Sequence, residues 1–403
     1  MSALRVWAYN VKFGDALLIQ VPDRDPATGH EVMRHILIDV GNVQSGEGGD
    51  DSVFAPILRD IRRRLGGRPV DLYVMTHEHL DHIQGLYYAA STIGLELDVD
   101  YAWLTASADP DYGKRHPRAR RQLQAMRSYL YEAELHLAAT HTANLLGLVA
   151  MMANNHPRRT QPCVDYLQTL AQIRTSYVHR NADLQPGRDH PFSEAELRVL
   201  APEEDTSNYY GRFKPTPLRA ATSNERDTNA RTDAIEPPPG VDASSFKHLL
   251  TRWQDGIANN ILAIDRAANN TSVVFELRWR GWRLLFPGDA QQRSWLTMQP
   301  HLEPVHFLKV AHHASSNATP PDSILRLLFP DEPPDRRRRT AVVSTCANTY
   351  PGVPDGDTLD RLQQRCDNVI STTAATPGTA VQINFPAPPS RRNNRSATVS
   401  ALR

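Results

Sequence analysis

Apolar and polar positions alternate at the start of the chain and then gather into blocks. LRVWAYNV and ALLIQVP, joined around Phe13-Gly14-Asp15, read as two strands, and RHILIDV, ending at Asp39, reads as a third. GNVQSGEGGD is loop by composition. In SVFAPILRDIRRRLGG the apolar residues Phe54, Ile57, Leu58, Ile61 and Leu65 fall at helical spacing, and Gly66-Gly67 predicts the stop. PVDLYVMT predicts a buried strand, HIQGLYYAASTIGL a helix after a loop, and VDYAWLTAS another strand. Strands that alternate with helices in this way predict an α/β layered arrangement.

From about residue 107 to 190 the pattern changes. RQLQAMRSYLYEAELHLAATHTANLLGLVAMMANN is strongly helical in composition, and CVDYLQTLAQIRTSY is read as continuing that character. SEAELRVLAP returns to a strand. Residues 203–245 are polar and are expected to form a mobile loop, because little apolar surface offsets their ordering entropy. SFKHLLTRWQDGIANNILAID is mostly helical. TSVVFELRW and GWRLLFPGD predict a hairpin around Arg280-Gly281. VHFLKVAHH, RRRTAVVSTC, VISTTA and TAVQINF predict further strands, separated by short helices at SWLTMQPHL, SILRLLFP and LDRLQQRC. Residues 386–403 read as a disordered tail, and no repeat of fixed period is present.

Charge and cysteine content narrow the classes. Lys+Arg and Asp+Glu number 45 each, so no global field draws in nucleic acid, although a local patch at KRHPRARRQ could. Cys163, Cys346 and Cys366 form no CxxC pair, which argues against a disulfide framework and fits a reducing, cytoplasmic compartment. MSALRVWAYN lacks the form of a signal peptide, and no apolar run approaches the roughly 18 residues that cross a bilayer, so no membrane partner is expected.

The chemistry concentrates in VMTHEHLDHIQG. His77, His79, Asp81 and His82 directly follow an apolar strand, at a spacing that does not match the helical HExxH pattern. An extended or turning loop, which can aim alternate residues the same way, is the expected carrier. Imidazole nitrogens and carboxylates suit zinc, manganese or iron. Three other strand ends add to the set: Asp39 in HILIDVG, Asp289 in FPGDA, and His312-His313 in LKVAHHASSN. Ligands of layered α/β folds gather beyond the carboxyl ends of strands. Two histidines can serve one metal and Asp81 and His82 another, with Asp289 between them. Ser272 in NNTS is read as orienting backbone near the site and not as a nucleophile, since no base has a defined relation to it.

THEHLDHIQG resembles the HxHxDH signature of the metallo-β-lactamase-fold hydrolases. NVKFGDALLI, HILIDVGN, NNTSVVFEL and FLKVAHHASSN are most similar to the soluble metallohydrolase domain attached to competence-type (ComEC-like) DNA-uptake channel proteins. The resemblance covers residues 4–105 and 193–385. It implies an αββα sandwich in which 1–105 and 193–385 make one domain and 106–192 is a mostly helical insertion. It implies two divalent ions, zinc first and manganese second, and hydrolysis by a metal-bridging hydroxide. His77 and His79 would hold one ion, and Asp81, His82 and His313 the other, with Asp289 bridging. Asp39 would hydrogen-bond the histidine loop, and Asp81, Asp39 and His312 would take part in catalysis. Ser315, Asn348, Tyr350, Arg115 and Arg118 are the expected substrate contacts.

The chain departs from that family at three points. The strand ELRVLAPEED carries no histidine for the first metal. HHGS becomes His312-His313-Ala314-Ser315, and the alanine implies a position with no need of a positive φ. A late N.YGHP motif becomes NTYPGVP, without its histidine. Three functions follow as expectations: hydrolysis of a phosphodiester or nucleic acid, opening of a lactone, thioester or β-lactam, or a catalytically weak or inactive scaffold or regulatory protein acting through the helical insertion. Of the tyrosines, Tyr209, Tyr210 and Tyr350 in polar loops are the better candidates to line a cleft, with plain packing an equal alternative. Oligomeric state is not legible.

Overall fold

A computed structural model describes residues 2–43, 49–140, 146–210, 213, 243–350 and 352–388. The tail from 389 and most of the polar segment expected to be mobile (211–212 and 214–242) lie outside them. Among the described residues the strands form two sheets. The first has the order β13-β1-β2-β3-β4-β5-β6, from β1 (Leu4–Tyr9), β2 (Leu17–Arg24), β3 (Glu31–Ile38), β4 (Val70–Val74), β5 (Val99–Thr105), β6 (Ala171–Val178) and β13 (Ala380–Phe385). The second has the order β12-β11-β10-β9-β8-β7, from β7 (Glu196–Ala201), β8 (Val274–Trp279), β9 (Trp282–Phe286), β10 (Phe307–Lys309), β11 (Thr340–Val343) and β12 (Asn368–Ser371).

The two sheets face each other across one apolar core. Val6, Ile19, Val74 and Trp103 meet Phe275, Phe286 and Phe307 there. The outer face of the first sheet packs on α1 (Phe54–Leu65), α2 (Leu80–Ile93) and α6 (Pro157–Gln168). The outer face of the second packs on α8 (Gln292–Met298), α9 (Asp322–Leu328) and α10 (Gly356–Gln363). The fold is therefore the four-layer αββα sandwich. A separate cluster joins α3 (Tyr112–Arg115), α4 (Pro117–Thr140) and α5 (Leu146–Asn155) to α7 (Ala243–Asn269), through Tyr112, Met126, Leu130, Met152, Ile257, Ile261 and Ile264.

The helical reading of CVDYLQTLAQIRTSY holds as far as Gln168. Residues 171–178 are β6, which pairs in parallel with β5 along its length. Ile173, 59% exposed, lies on this edge strand. No Gly, Pro, Asn or Asp stands between α6 and this strand, so the sequence carries no turn signal to part them. Tyr209 takes the packing role, and Tyr210 packs while also lining a small cavity with Glu78 and His79. Tyr209 and Tyr210 are buried, and Tyr210 hydrogen-bonds Thr206 Oγ1 at 2.8 Å.

β3, β4 and β5 run parallel, as do β9, β10 and β11. Their carboxyl ends bring Asp39, His77, Asp289 and His313 to one side of the seam between the sheets. Close approach of backbones is required here. A Cβ on Gly41 would meet Leu80 O at 2.4 Å and His82 N at 2.5 Å, so glycine alone lets the β3 end lie against the first turn of α2.

Beneath this seam lies a buried ion pair between Lys309 on β10 and Asp15, both about 2% exposed. Removing one partner of such a pair leaves an uncompensated charge. Lys309→Met is expected to lower stability by about 3–5 kcal/mol, and Asp15→Asn combined with it to recover most of the loss. Urea unfolding of the two variants measures both, and equal instability of single and double variants would refute the pairing.

Candidate metal centre

His77 and His79 stand on the loop after β4. His79 caps α2, and Asp81 and His82 occupy its first turn. The cluster thus straddles a loop and a helix, where a loop alone was expected. The helix N-terminus favours the Asp81 carboxylate, and the turn swings His82 back beneath His77.

Each imidazole has one nitrogen fixed by the protein. His82 Nδ1–H donates to Asp39 Oδ2 at 2.8 Å. Asp39 also accepts from Thr76 N and Thr76 Oγ1, at 2.8 and 2.7 Å. Because the Thr76 hydroxyl spends its proton on Asp39, its oxygen accepts from His77 Nδ1 at 3.0 Å. His313 Nδ1 donates to Ser344 O at 2.9 Å. These bonds leave Nε2 of His77, His82 and His313 as the free donors, and all three are buried without a hydrogen-bond partner.

Asp289 Oδ2, likewise unpartnered, lies 3.1 Å from His82 Nε2, 3.6 Å from His313 Nε2 and 4.0 Å from His77 Nε2. Its other oxygen accepts from His312 N at 3.0 Å, and Ser272 Oγ accepts from Asp289 N at 3.1 Å, the backbone-orienting role read from the sequence. Asp81 Oδ2 is 3.3 Å from His313 Nε2. Donors about 2.0–2.2 Å from a tetrahedral ion stand about 3.3–3.6 Å apart. The Asp81–His313 and Asp289–His313 pairs have that spacing, His82 stands 3.1 Å from Asp289 and 3.9 Å from Asp81, and the ligand atoms of the four all lie within 4.8 Å of one another. Buried, unpartnered polar atoms are costly without a cation among them, so the set fits a divalent metal. A neighbouring trio, Asp15, Asp39 and His82, is already engaged, Asp15 by Lys309 and Asp39 by the Nδ1–H of His82.

The electrostatics agree. Burial disfavours charge on His82, but Asp289, Asp81 and Asp39 outweigh it and hold its pKa well above the usual imidazole value. Burial likewise opposes the Asp289 carboxylate, yet His82 and His313 hold its pKa well below normal. His77 moves the other way, lowered by burial and by its histidine neighbours. A cation displaces the proton that the carboxylates otherwise retain.

His77 and His79, expected to hold the first metal, are buried but lie outside that four-residue group. His79 Nε2–H donates to Asn155 Oδ1 at 2.6 Å, which leaves Nδ1 as its free donor. Asn155 Nδ2 donates to Asp265 Oδ1 at 3.0 Å, and Asn269 Nδ2 to Asp265 Oδ2 at 3.0 Å. Asn154 grips Asp81 twice, accepting from its N–H at 3.0 Å and donating to Oδ1 at 2.8 Å. Sequence reasoning missed Asn154, Asn155, Asp265 and Asn269. The signals were present: a polar pair ending the apolar helix LLGLVAMMANN, and Leu262, Asp265, Arg266 and Asn269 at one-face spacing on α7.

His312 turns away from the cage. Its Nδ1 meets Ser315 Oγ at 2.7 Å, and its Nε2 lies 3.5 Å from Asn269 Nδ2. With Asp81, Ser315, Tyr350, Asp265 and Arg266 it lines a cavity of about 570 Å³. Tyr350 stacks edge-on to Phe13, and burial followed by the nearby Asp81 and Asp265 charges raises its pKa. Asn348, at φ +63°, does not line the cavity. Neither do Arg115 and Arg118: Arg115 is exposed and pairs with Asp109 at 2.6 Å, and Arg118 is exposed at the start of α4.

The alanine of HHAS overturns its expectation. Ala314 has φ +64°, and His312 and His313 have +46° and +56°. Three consecutive side-chain-bearing residues in the left-handed region store strain where one imidazole must face the cage and the next the cavity.

No family model matches the chain, and no curated protein is similar to it. Among solved structures, it is similar to the metallo-β-lactamase fold protein YhfI from Bacillus subtilis, at 10% identity and a TM-score of 0.38 over 95% of this chain and 100% of that one. It is also similar to a β-lactamase domain protein from Burkholderia ambifaria, at 16% identity and a TM-score of 0.24 over 48% of this chain and 44% of that one. Both scores lie below 0.5, so the architecture rests on this chain's own two sheets.

Ala314→Gly is expected to stabilise the fold by about 1 kcal/mol, because glycine carries no left-handed penalty. A denaturant midpoint that stays or falls would contradict this.

Proposed function

We propose that this chain is a metal-dependent hydrolase of phosphodiesters. The observation that carries the reading is the convergence of three free imidazole nitrogens on one oxygen of Asp289, sealed from water. The likeness of four sequence segments to the metallohydrolase domain of DNA-uptake proteins supports a phosphodiester over a lactam, lactone or thioester. The polar side chains of His312 and Ser315 around the cavity also suit a charged substrate.

Asp81, His82, Asp289 and His313 would hold one ion. His77 and His79 would hold a second, with Asp289 shared. The nitrogen-rich donor set favours zinc, with manganese the competitor. When bound, a metal pair supplies positive charge at the phosphoryl oxygens and lowers the pKa of water.

The chain's own residues do the rest. Asp39 keeps the His82 proton on Nδ1, and Thr76 does the same for His77, so both rings stay aimed. Asn154 orients Asp81, and Asn155 orients His79. His312, tied to Ser315 and facing the cavity, is positioned to give a proton to the leaving alkoxide. Tyr350 remains a neutral phenol and can donate a hydrogen bond to a substrate oxygen. The substrate partner is a small phosphodiester or the end of a nucleic acid, and the setting is cytoplasmic.

Protein purified without chelator is expected to carry about two zinc or manganese ions per chain, and Asp289→Ala less than one. The same substitution should slow hydrolysis of bis(p-nitrophenyl) phosphate by at least about a thousandfold. Elemental mass spectrometry and a chromogenic assay measure the two. Absence of metal after reconstitution, or an unchanged rate, would overturn the reading.

His312→Gln should slow diesters with alkoxide leaving groups by about a hundredfold while sparing p-nitrophenyl esters, which leave without a proton. Equal slowing of both classes would exclude the proton-donor role.

A further inference from the structure

We infer that Arg266 binds a second phosphate of the substrate, set apart from the scissile bond, so that this site takes a nucleotide-sized phosphodiester bearing an additional phosphate. The inference rests on the phosphodiesterase reading above.

Arg266 sits near the carboxyl end of α7, between residues already tied to the centre. Asp265 precedes it, and Asn269 follows one turn later and reaches His312. Helical spacing puts Leu262, Asp265, Arg266 and Asn269 on one face, and the first three line the cavity. The opposite face, with Ile257, Ile261 and Ile264, is buried against the α3–α5 helices. The helix is thereby locked in rotation, and Arg266 is held toward the cavity.

Among the described residues lining that cavity, Arg266 is the one arginine or lysine, and its side chain is exposed. Three carboxylates share the lining, and each is already engaged. Asp265 accepts from two amides, on Oδ1 and Oδ2. Asp355 accepts from Thr358 N and Oγ1 at 2.9 and 2.7 Å. Asp81 is held by Asn154 and faces His313. No carboxylate among the described residues lies in salt-bridge reach of the Arg266 guanidinium, so its fork is available to a ligand. Guanidinium suits phosphate, which it meets with paired N–H donors.

Arg115 and Arg127, which do not line this cavity, are paired with Asp109 at 2.6 Å and Glu78 at 3.4 Å. A cavity of about 570 Å³ falls in the range of small-molecule sites. It would take a nucleotide, not a duplex. A cation in the last turn of a helix also complements the helix dipole. That role is indifferent to the ligand, so comparison of two ligands separates it from phosphate recognition.

The test is calorimetric binding of thymidine 5′-monophosphate and thymidine 3′,5′-bisphosphate to zinc-loaded full-length protein. Wild type is expected to bind the bisphosphate about tenfold more tightly, the order of one charge-assisted contact. Arg266→Ala and Arg266→Gln should erase the preference at unchanged thermal midpoint, and Arg266→Lys should retain part of it. A preference that survives in both neutral variants, or is missing in wild type, overturns the inference. Hydrolysis of thymidylyl-thymidine by the same preparation tests the underlying reading separately. Preference for the bisphosphate without turnover of any diester would leave the Arg266 subsite standing and remove the phosphodiesterase assignment.

Discussion

Nε2 of His77, His82 and His313 and one oxygen of Asp289 meet in a space closed to water, and none has a hydrogen-bond partner. Buried polar atoms without partners oppose folding, and four together would be hard to sustain unless a cation belonged among them. Much of the surrounding structure serves to hold this arrangement. Asp39 and Thr76 fix two tautomers, the Ser344 carbonyl fixes a third, and the glycine at 41 lets the strand ends close on one another. The ion pair of Lys309 and Asp15 lies just beneath, so the seam between the sheets is polar at its end and apolar along its length.

The helices outside the sandwich are joined to this centre through amides. Asn154 and Asn155 end α5, and Asp265 and Asn269 lie on one face of α7. Together they hold Asp81 and His79 from the side opposite the sheets. An amide can donate and accept at once, so it relays orientation from a carboxylate to an imidazole without adding charge. The His312-His313-Ala314 turn adds a different constraint. Its left-handed backbone sends adjacent imidazoles to different places, one into the cage and one into the cavity.

Much of the fold was legible along the chain. The alternation in LRVWAYNV, the helical spacing from Phe54 to Leu65 and the Arg280-Gly281 turn each specify a local conformation through short-range physics. β6 escaped because no Gly, Pro, Asn or Asp separates AQIRTSYV from the helix before it, so its apolar residues read as a continuation of that helix. The metal-loop histidines were legible because several ligand types close together at a strand end have few other uses. Asp39, Asp289 and His313 were legible as strand ends.

What the sequence determined by itself was most of the elements, β6 apart, and the residue types able to hold metal, since both depend on neighbours a few positions apart. Only the tertiary structure decided which nitrogen of each histidine is free, which helix face lines the cavity, and that Asn155, Asp265 and Arg266 belong to the site. Those facts depend on contacts between segments as much as 110 residues apart, such as Asn155 with Asp265. Local periodicity fixes how a helix forms but carries no information about its rotation against a distant partner. That rotation is set by packing, here by Ile257, Ile261 and Ile264 against α4 and α5, and it turns an ordinary helix face into the wall of a site.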